Sequence, residues 1–118
     1  MVNITFFKHD NVLYGFSESG HAEYDDFGKD ILCSAISAMT MLVINTLEVA
    51  FATDVDYSID DATTDVTVVV RSALPAFATD ERKQYAASGI IQGYYLQLMD
   101  MLEEYYDYLD VSVLDRPV

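Results

Sequence analysis

One stretch limits the possible folds more than any other: from Ile31 to Leu47 the chain carries no charged side chain. Its apolar residues recur at helical spacing as far as Phe51, and this periodicity predicts one long helix. The uncharged run is slightly short for a membrane span. It also contains five polar residues: Ser34, Ser37, Thr40, Asn45 and Thr46. We therefore predict a buried helix of a soluble protein and no membrane association.

The start of this helix contains the only cysteine of the chain, Cys33. Gly28 breaks the segment before it, and Asp30 is a favourable N-cap residue, so we expect the helix to begin at Ile31. Cys33 would then be the third helical residue. It would lie beside backbone N–H groups that have no acceptor within the helix, and near the positive end of the helix dipole. Both features favour the thiolate over the thiol.

A helix terminus alone leaves this thiol mostly protonated at neutral pH. A free cysteine has a pKa of about 8.5, and a helix terminus lowers it by less than about one pKa unit. The acidic residues before the helix act in the opposite direction; they are Glu23, Asp25, Asp26 and Asp30. A nearby imidazolium would reverse that balance, and His21 is the candidate. We therefore predict a thiolate–imidazole pair of Cys33 and His21.

Other interpretations of these residues stay open at this point. A lone cysteine in an apolar helix is more often a small buried hydrophobic residue. His9, the other histidine, falls in a predicted hairpin turn, which suits a solvated side chain better than a base. One cysteine and two histidines do not form the ligand cluster of a zinc site, and no glycine-rich phosphate loop occurs. No metal or cofactor is therefore predicted.

The sequence around Cys33 resembles one enzyme family. It carries the motif GHA at 20–22, a glycine at position 28 and the run DILCSAIS at 30–37. These are similar to the motifs of the ribosomal-processing cysteine proteases of Firmicutes and their relatives. That family has a Gly-His-Ala followed by a helix start of the type Cys-Ala-Ala-Val-Ser, and here the second part reads Cys-Ser-Ala-Ile-Ser. The specific part of the resemblance covers 19–37, while length and element order agree over nearly the whole chain.

The resemblance implies an activity and a substrate. Cys33 would be the nucleophile and His21 its base, in a dyad that works through an acyl-enzyme, with free amides at the helix start holding the oxyanion. The substrate would be the N-terminal extension of ribosomal large-subunit protein twenty-seven, cut after a hydrophobic, Phe-containing segment, a step needed for ribosome assembly. Further residues expected in or near the site are Gly20, Ala22, Gly28, Asp30 and Ser37, which match the family, and Ser34, where the family has Ala.

Composition and net charge limit the number of domains, the cellular compartment and the kind of partner that the chain can have. With 118 residues, 52% of them hydrophobic, the chain is most simply one domain spanning 1–118. A single cysteine excludes an internal disulfide, and the N-terminus lacks the features of a secretory signal, so we expect a cytoplasmic protein. The net charge of −14 excludes a basic nucleic-acid surface. It suits a basic partner such as a ribosomal protein, although acidity also serves solubility.

The rest of the chain predicts a sheet and a second helix. Strands are predicted at 2–8, 11–17, 53–59, 64–71 and 109–114. The first two flank a tight hairpin turn, and Thr79 or Asp80 caps the second long helix. The order ββαββαβ with short turns predicts an α/β (α+β) two-layer sandwich, in which a mainly antiparallel sheet packs against two long helices.

The apolar residues of the first helix occupy more than one face. One set can pack on the sheet: Ile31, Ala35, Ala38, Met39, Leu42, Val43 and Leu47. Ile36, Met41 and Ile44 lie elsewhere and need another cover. A symmetry-related subunit would supply it, so we expect a homodimer.

A second function class fits the same charge and the same dimer. It is a non-catalytic acidic module that binds a basic ribosomal protein. Thiol chemistry separates the two classes. Rapid alkylation by iodoacetamide at about pH 6–7, below the ordinary thiol pKa, would indicate an activated Cys33, whereas a buried structural thiol would resist.

Overall fold

The computed structural model describes residues 1–21 and 27–118 of the chain. Within that part, five strands form one sheet in the order β3-β4-β2-β1-β5. The elements are β1 Val2–His9, β2 Val12–Ser19, α1 Phe27–Asn45, β3 Asp56–Ile59, β4 Val66–Val69, α2 Glu81–Tyr105 and β5 Leu109–Asp115. A π-helical turn, Thr46–Ala50, continues α1, and a 3-10 turn, Arg71–Ala73, follows β4. The predicted order ββαββαβ is confirmed.

The sheet is mixed, with antiparallel pairs between β1 and β2, β2 and β4, and β3 and β4. Among the strands of the described residues, only β5 pairs in parallel, with β1. The β1–β2 turn uses Asp10 at φ +49° and Asn11 at φ +63°. Two residues with positive φ make the hairpin turn whose twist matches that of the flanking strands, and Asp and Asn tolerate this conformation best after glycine. The predicted tight hairpin is therefore confirmed.

Both helices lie on one face of the sheet. Val2, Ile4 and Phe6 of β1 have no solvent exposure on that face. The rings of Phe6 and Phe16 contact the ring of Tyr94 on α2, with centroids 5.6 and 5.0 Å apart. On the opposite face, the exposed hydroxyls of Thr5 and Ser112 are 3.2 Å apart. One sheet face covered by two helices makes the predicted two-layer α+β sandwich.

The bounds of α1 correct the sequence-based expectation. The helix begins at Phe27, so Gly28 and Asp30 belong to its first turn and Asp30 is not the N-cap. An acidic residue in the first turn interacts favourably with the helix dipole, which explains why Asp30 fits inside the helix as well as before it. Cys33 is consequently the seventh helical residue and not the third.

The buried side of α1 also differs from the expected one. The core stripe of α1 is formed by Leu32, Ile36, Val43 and Ile44, and Leu47 extends it in the π-helical turn that follows. Ile36 and Ile44 are thus covered by the chain itself, whereas Ile31 and Leu42, which were expected on the sheet, are exposed. An uncharged helix presents apolar residues all around, so periodicity alone cannot select the buried side.

The segment Gly28–Ala50 is long and apolar enough to cross a membrane, judged by length and composition. A core helix of a soluble protein meets the same criteria, and here Leu32, Ile36 and Leu47 pack in the core cluster. These two criteria therefore do not place the segment in a membrane.

The second helix agrees closely with its sequence pattern. The Asp80 carboxylate accepts a hydrogen bond from the backbone N–H of Arg82 at 2.8 Å and caps the helix. The buried stripe of Ala87, Ile91, Tyr94 and Leu98 repeats every three or four residues, as expected for an amphipathic helix. This stripe places Tyr94 over the centre of the sheet.

Gly20 joins β2 to His21 in a conformation that few other residues adopt. Its φ is +89°, and a Cβ at this position would collide with the carbonyl oxygen of Met1. The glycine therefore lets the chain pass close to the start of β1 and bring His21 back over the sheet.

We expect Gly20→Ala to lower the free energy of unfolding by more than about 1 kcal/mol, because a left-handed non-glycine residue costs about 1–2 kcal/mol and the methyl group adds a collision. Gly93→Ala on α2 is the matched control. The added methyl there has no neighbour within 4 Å, so this change should stabilise by about 0.5–1 kcal/mol. Urea unfolding measures both. Equal effects of the two substitutions would contradict this assignment of Gly20.

Candidate active site

A cavity of about 790 Å³ lies between α1, the end of β2 and the β3–β4 pair. Five predicted site residues line it: His21, Asp30, Cys33, Ser34 and Ser37. The four on α1 recur at helical spacing and so share one face. Gly20 precedes His21, and Gly28 lies in the first turn of α1; neither is among the residues that line the cavity. Ala22, the remaining predicted residue, lies outside the described residues.

Cys33 is buried, with 6% of its surface exposed. Burial raises the pKa of its thiol; Lys29 opposes this by lowering it, while Asp30 and Glu18 raise it further. The geometry therefore favours a protonated thiol, contrary to the expected resting thiolate. Rapid alkylation at neutral pH is accordingly not expected of the free protein, and slow alkylation no longer argues against catalysis.

The early start of α1 also removes the expected oxyanion hole. Only about the first four N–H groups of a helix lack an acceptor within the helix. Cys33 is the seventh residue of α1, so its N–H and that of Ser34 fall within the regular hydrogen-bond ladder. Oxyanion stabilisation by free helix-start amides next to Cys33 is therefore excluded in this geometry.

His21 is held by a carboxylate that the sequence did not indicate. Its side chain is almost fully buried, and its Nε2 lies 3.1 Å from Oε2 of Glu18. A carboxylate oxygen accepts, so Nε2 carries the proton. Nδ1 is then the ring nitrogen with a free lone pair, which is the form that a general base requires.

Glu18 is itself anchored by two hydroxyl groups. Thr40 of α1 donates to its Oε1, and the Tyr94 hydroxyl donates to the same oxygen at 3.3 Å. Burial raises the pKa of Tyr94, and the negative charge of Glu18 raises it further, so this hydroxyl stays a donor. Glu18 sits two residues after Phe16, on the inward face of β2. A charged residue at an inward strand position was the available signal; it was missed because the strand was expected to end at Ser17.

Metal binding has no support among residues 1–21 and 27–118, where no group of three His, Cys, Asp or Glu side chains is placed to hold an ion. What the cavity combines is one thiol, one imidazole with an assigned tautomer and one buried carboxylate. This set supports nucleophilic chemistry with proton transfer.

Comparison with known proteins decides the family. A sequence profile of the family described as Cysteine protease Prp matches residues 1–110. This chain belongs to that family. The resemblance found in the sequence motifs is thus confirmed, and cysteine protease chemistry is the family's activity. No curated protein sequence matches the chain.

Several solved structures share the fold over nearly the whole chain. The ribosomal processing protease Prp from S. aureus in complex with a substrate peptide has a TM-score of 0.78 at 19% identity, covering 97% of this chain and 100% of that one. The structure of the same protease with a covalently linked product peptide has a TM-score of 0.75 at 19% identity, with the same coverage of both chains. SMU.848 from Streptococcus mutans has a TM-score of 0.78 at 20% identity, covering 98% of this chain and 99% of that one.

We expect Asp30→Asn to speed alkylation of Cys33 by iodoacetamide in the free protein. Asp30 raises the pKa of the thiol, so removal of its charge lowers that pKa and increases the thiolate fraction at every pH below it. Asp100→Asn, which removes a carboxylate outside the cavity, is the control. Alkylation rates measured from pH 6 to pH 9, around the ordinary thiol pKa of about 8.5, give the pH dependence of both variants. A slower reaction of Asp30→Asn would contradict the electrostatic assignment.

Proposed function

We propose that this protein is a cysteine endopeptidase that removes the N-terminal extension of ribosomal large-subunit protein twenty-seven, with Cys33 as nucleophile and His21 as general base and acid. The observation that supports this most strongly is that both side chains line one cavity in a chain of the Prp family. The S. aureus Prp structures, which hold a substrate peptide and a covalently linked product peptide, support a peptide as the ligand of this fold.

The chemistry is acyl transfer. Cys33 Sγ attacks the scissile carbonyl while the thiol proton passes to Nδ1 of His21. The C–N bond then breaks, and the imidazolium gives its proton to the leaving amine. Water attacks the resulting thioester, its proton passes through His21, and the free acid and the thiol are released. Because burial raises the pKa of the Cys33 thiol, proton transfer accompanies attack on the bound substrate.

The cavity wall suits the proposed cleavage after a hydrophobic, Phe-containing segment. Beyond the reactive groups it is lined by Met41, Ile44, Ile59 and Val66. Side chains of this kind favour the burial of an aromatic residue of the substrate, worth about 1.5–3 kcal/mol for a Phe-sized group. The net charge of −14 attracts a basic substrate such as a ribosomal protein.

A homodimer is part of this proposal. Ile31, Ala38 and Leu42 are exposed on one face of α1, and Leu42 leaves 57% of its surface uncovered. An apolar stripe of this kind favours a second copy of the chain as its cover.

Leu42→Glu places a charge in this stripe and should therefore shift the protein from dimer to monomer in sedimentation equilibrium. A monomeric wild-type protein at the same concentration would refute the dimer.

The decisive variants for catalysis are Cys33→Ala and His21→Gln. We expect Cys33→Ala to abolish cleavage of a peptide that carries the Phe-containing extension, because no other cysteine exists. His21→Gln should lower kcat/KM by at least about 10²-fold, the lower range for loss of a general base. Mass spectrometry of the products measures both.

His9→Gln is the matched control for the second variant. His9 lies at the β1–β2 turn beside Asp10, outside the cavity, so its replacement should leave the rate unchanged. Undiminished cleavage by Cys33→Ala would remove the protease assignment and favour the acidic binding module.

A further inference from the structure

Glu18 is a carboxylate in the apolar core, and only 2% of its surface is exposed. Its neighbours across the sheet are Ile4 on β1 and Val66 on β4. A buried carboxylate is costly unless hydrogen bonds satisfy its oxygens. Its contacts in the described part of the chain therefore indicate what it does.

The two oxygens of Glu18 have different partners. Oε1 accepts from the hydroxyls of Thr40 and Tyr94, and Oε2 accepts from Nε2 of His21. The hydroxyls come from α1 and α2, whereas His21 follows β2. Because both hydroxyls hold Oε1, the carboxylate cannot rotate freely, and Oε2 stays directed at the imidazole.

The anchor on α2 is rigid. The Tyr94 ring packs edge-on against Phe6 at 63° and against Phe16 at 69°, and such aromatic pairs resist reorientation within a packed core. The anchor on α1, Thr40, lies two turns after Cys33 on the same helix. One helix thus carries both the sulfur and the group that fixes the carboxylate, so the position of His21 is tied to that of Cys33.

We propose that Glu18 is a positioning residue for His21, which completes a Cys33, His21 and Glu18 arrangement in which Thr40 and Tyr94 lock the carboxylate. The inference rests on the proposed function, since it gives His21 its role as base. Glu18 holds the Nε2–H tautomer, leaves Nδ1 free to take the thiol proton, and stabilises the imidazolium that then forms. The Ser-His-Asp triad uses the same division of roles with the two ring nitrogens exchanged.

The first test needs no substrate and no change to the site. In a His9→Gln background His21 is the only histidine, and long-range ¹H–¹⁵N spectra report which ring nitrogen carries the proton. Spectra recorded at about pH 8.5, above the ordinary titration range of histidine, should show the Nε2–H tautomer. The Nδ1–H tautomer in this protein would overturn the inference.

The second test replaces the carboxylate by its isosteric amide. In Glu18→Gln the two hydroxyl donors keep the amide oxygen at their side, so the amide NH₂ faces His21 and Nε2 must accept. The tautomer should therefore invert to Nδ1–H, and kcat should fall by about 10²–10⁴-fold with KM little changed, as when an orienting carboxylate is replaced by an amide in a triad. An unchanged tautomer with wild-type kcat would contradict the positioning role.

A rescue variant separates positioning from simple loss of charge. Adding Thr40→Val and Tyr94→Phe to Glu18→Gln removes the two donors while keeping shape, so the amide is free to turn its oxygen to Nε2. We expect the Nε2–H tautomer to return and part of kcat to recover. A triple variant that stays in the Nδ1–H form would count against the lock by Thr40 and Tyr94.

These results are distinguishable from failure of the proposed function. Cleavage by Cys33→Ala would refute the protease whatever tautomer His21 adopts. An Nδ1–H tautomer in the protein with wild-type Glu18, together with an inactive Cys33→Ala, would refute the positioning role alone. If Glu18→Gln does not fold, the spectrum with wild-type Glu18 still decides.

Discussion

The structure depends on the burial of one carboxylate, that of Glu18, between the sheet and both helices. A charge in an apolar core is tolerated only where donors meet it. Its donors come from α1, α2 and the residue that follows Gly20. To satisfy Glu18, these three parts of the chain must take fixed relative positions. The core of the fold and the geometry of the cavity therefore have one common origin, and the tautomer of His21 is a consequence of core packing.

The state of Cys33 follows from the same arrangement. Burial raises the pKa of its thiol, and the charge of Glu18 contributes in the same direction. A carboxylate that prepares the imidazole to act as a base thus also disfavours a standing thiolate. In the proposed mechanism, the thiolate of Cys33 would therefore form only when the substrate is in place, and the free protein would be poorly reactive. Such a thiol is protected from adventitious alkylation and oxidation, both of which require thiolate character.

Local chemistry made much of the fold predictable. The β1–β2 turn, the Asp80 cap and the buried stripe of α2 each depend on a few adjacent residues, so the sequence alone specified them. Motif and spacing also indicated Cys33 and His21, which line one cavity. The predicted start and buried side of α1 were wrong because the sequence allows similar alternatives. Asp30 suits the first turn of a helix as well as its N-cap, and an uncharged helix has no unique apolar side.

Glu18 was missed because β2 was expected to end at Ser17, two residues too early. Its inward position on the strand was therefore not recognised. Its role requires Thr40 and Tyr94, which lie far away in the sequence and which only the tertiary structure brings together.

A crystal structure of the wild-type protein with a substrate-derived peptide aldehyde would test this arrangement of Cys33, His21 and Glu18 most directly. The aldehyde carbon should be bonded to Cys33 Sγ. We expect His21 to direct Nδ1 at the sulfur while Nε2 stays on the carboxylate of Glu18, with both hydroxyls still on its other oxygen. A complex in which Nε2 faces the sulfur, or in which Glu18 has left His21, would contradict it.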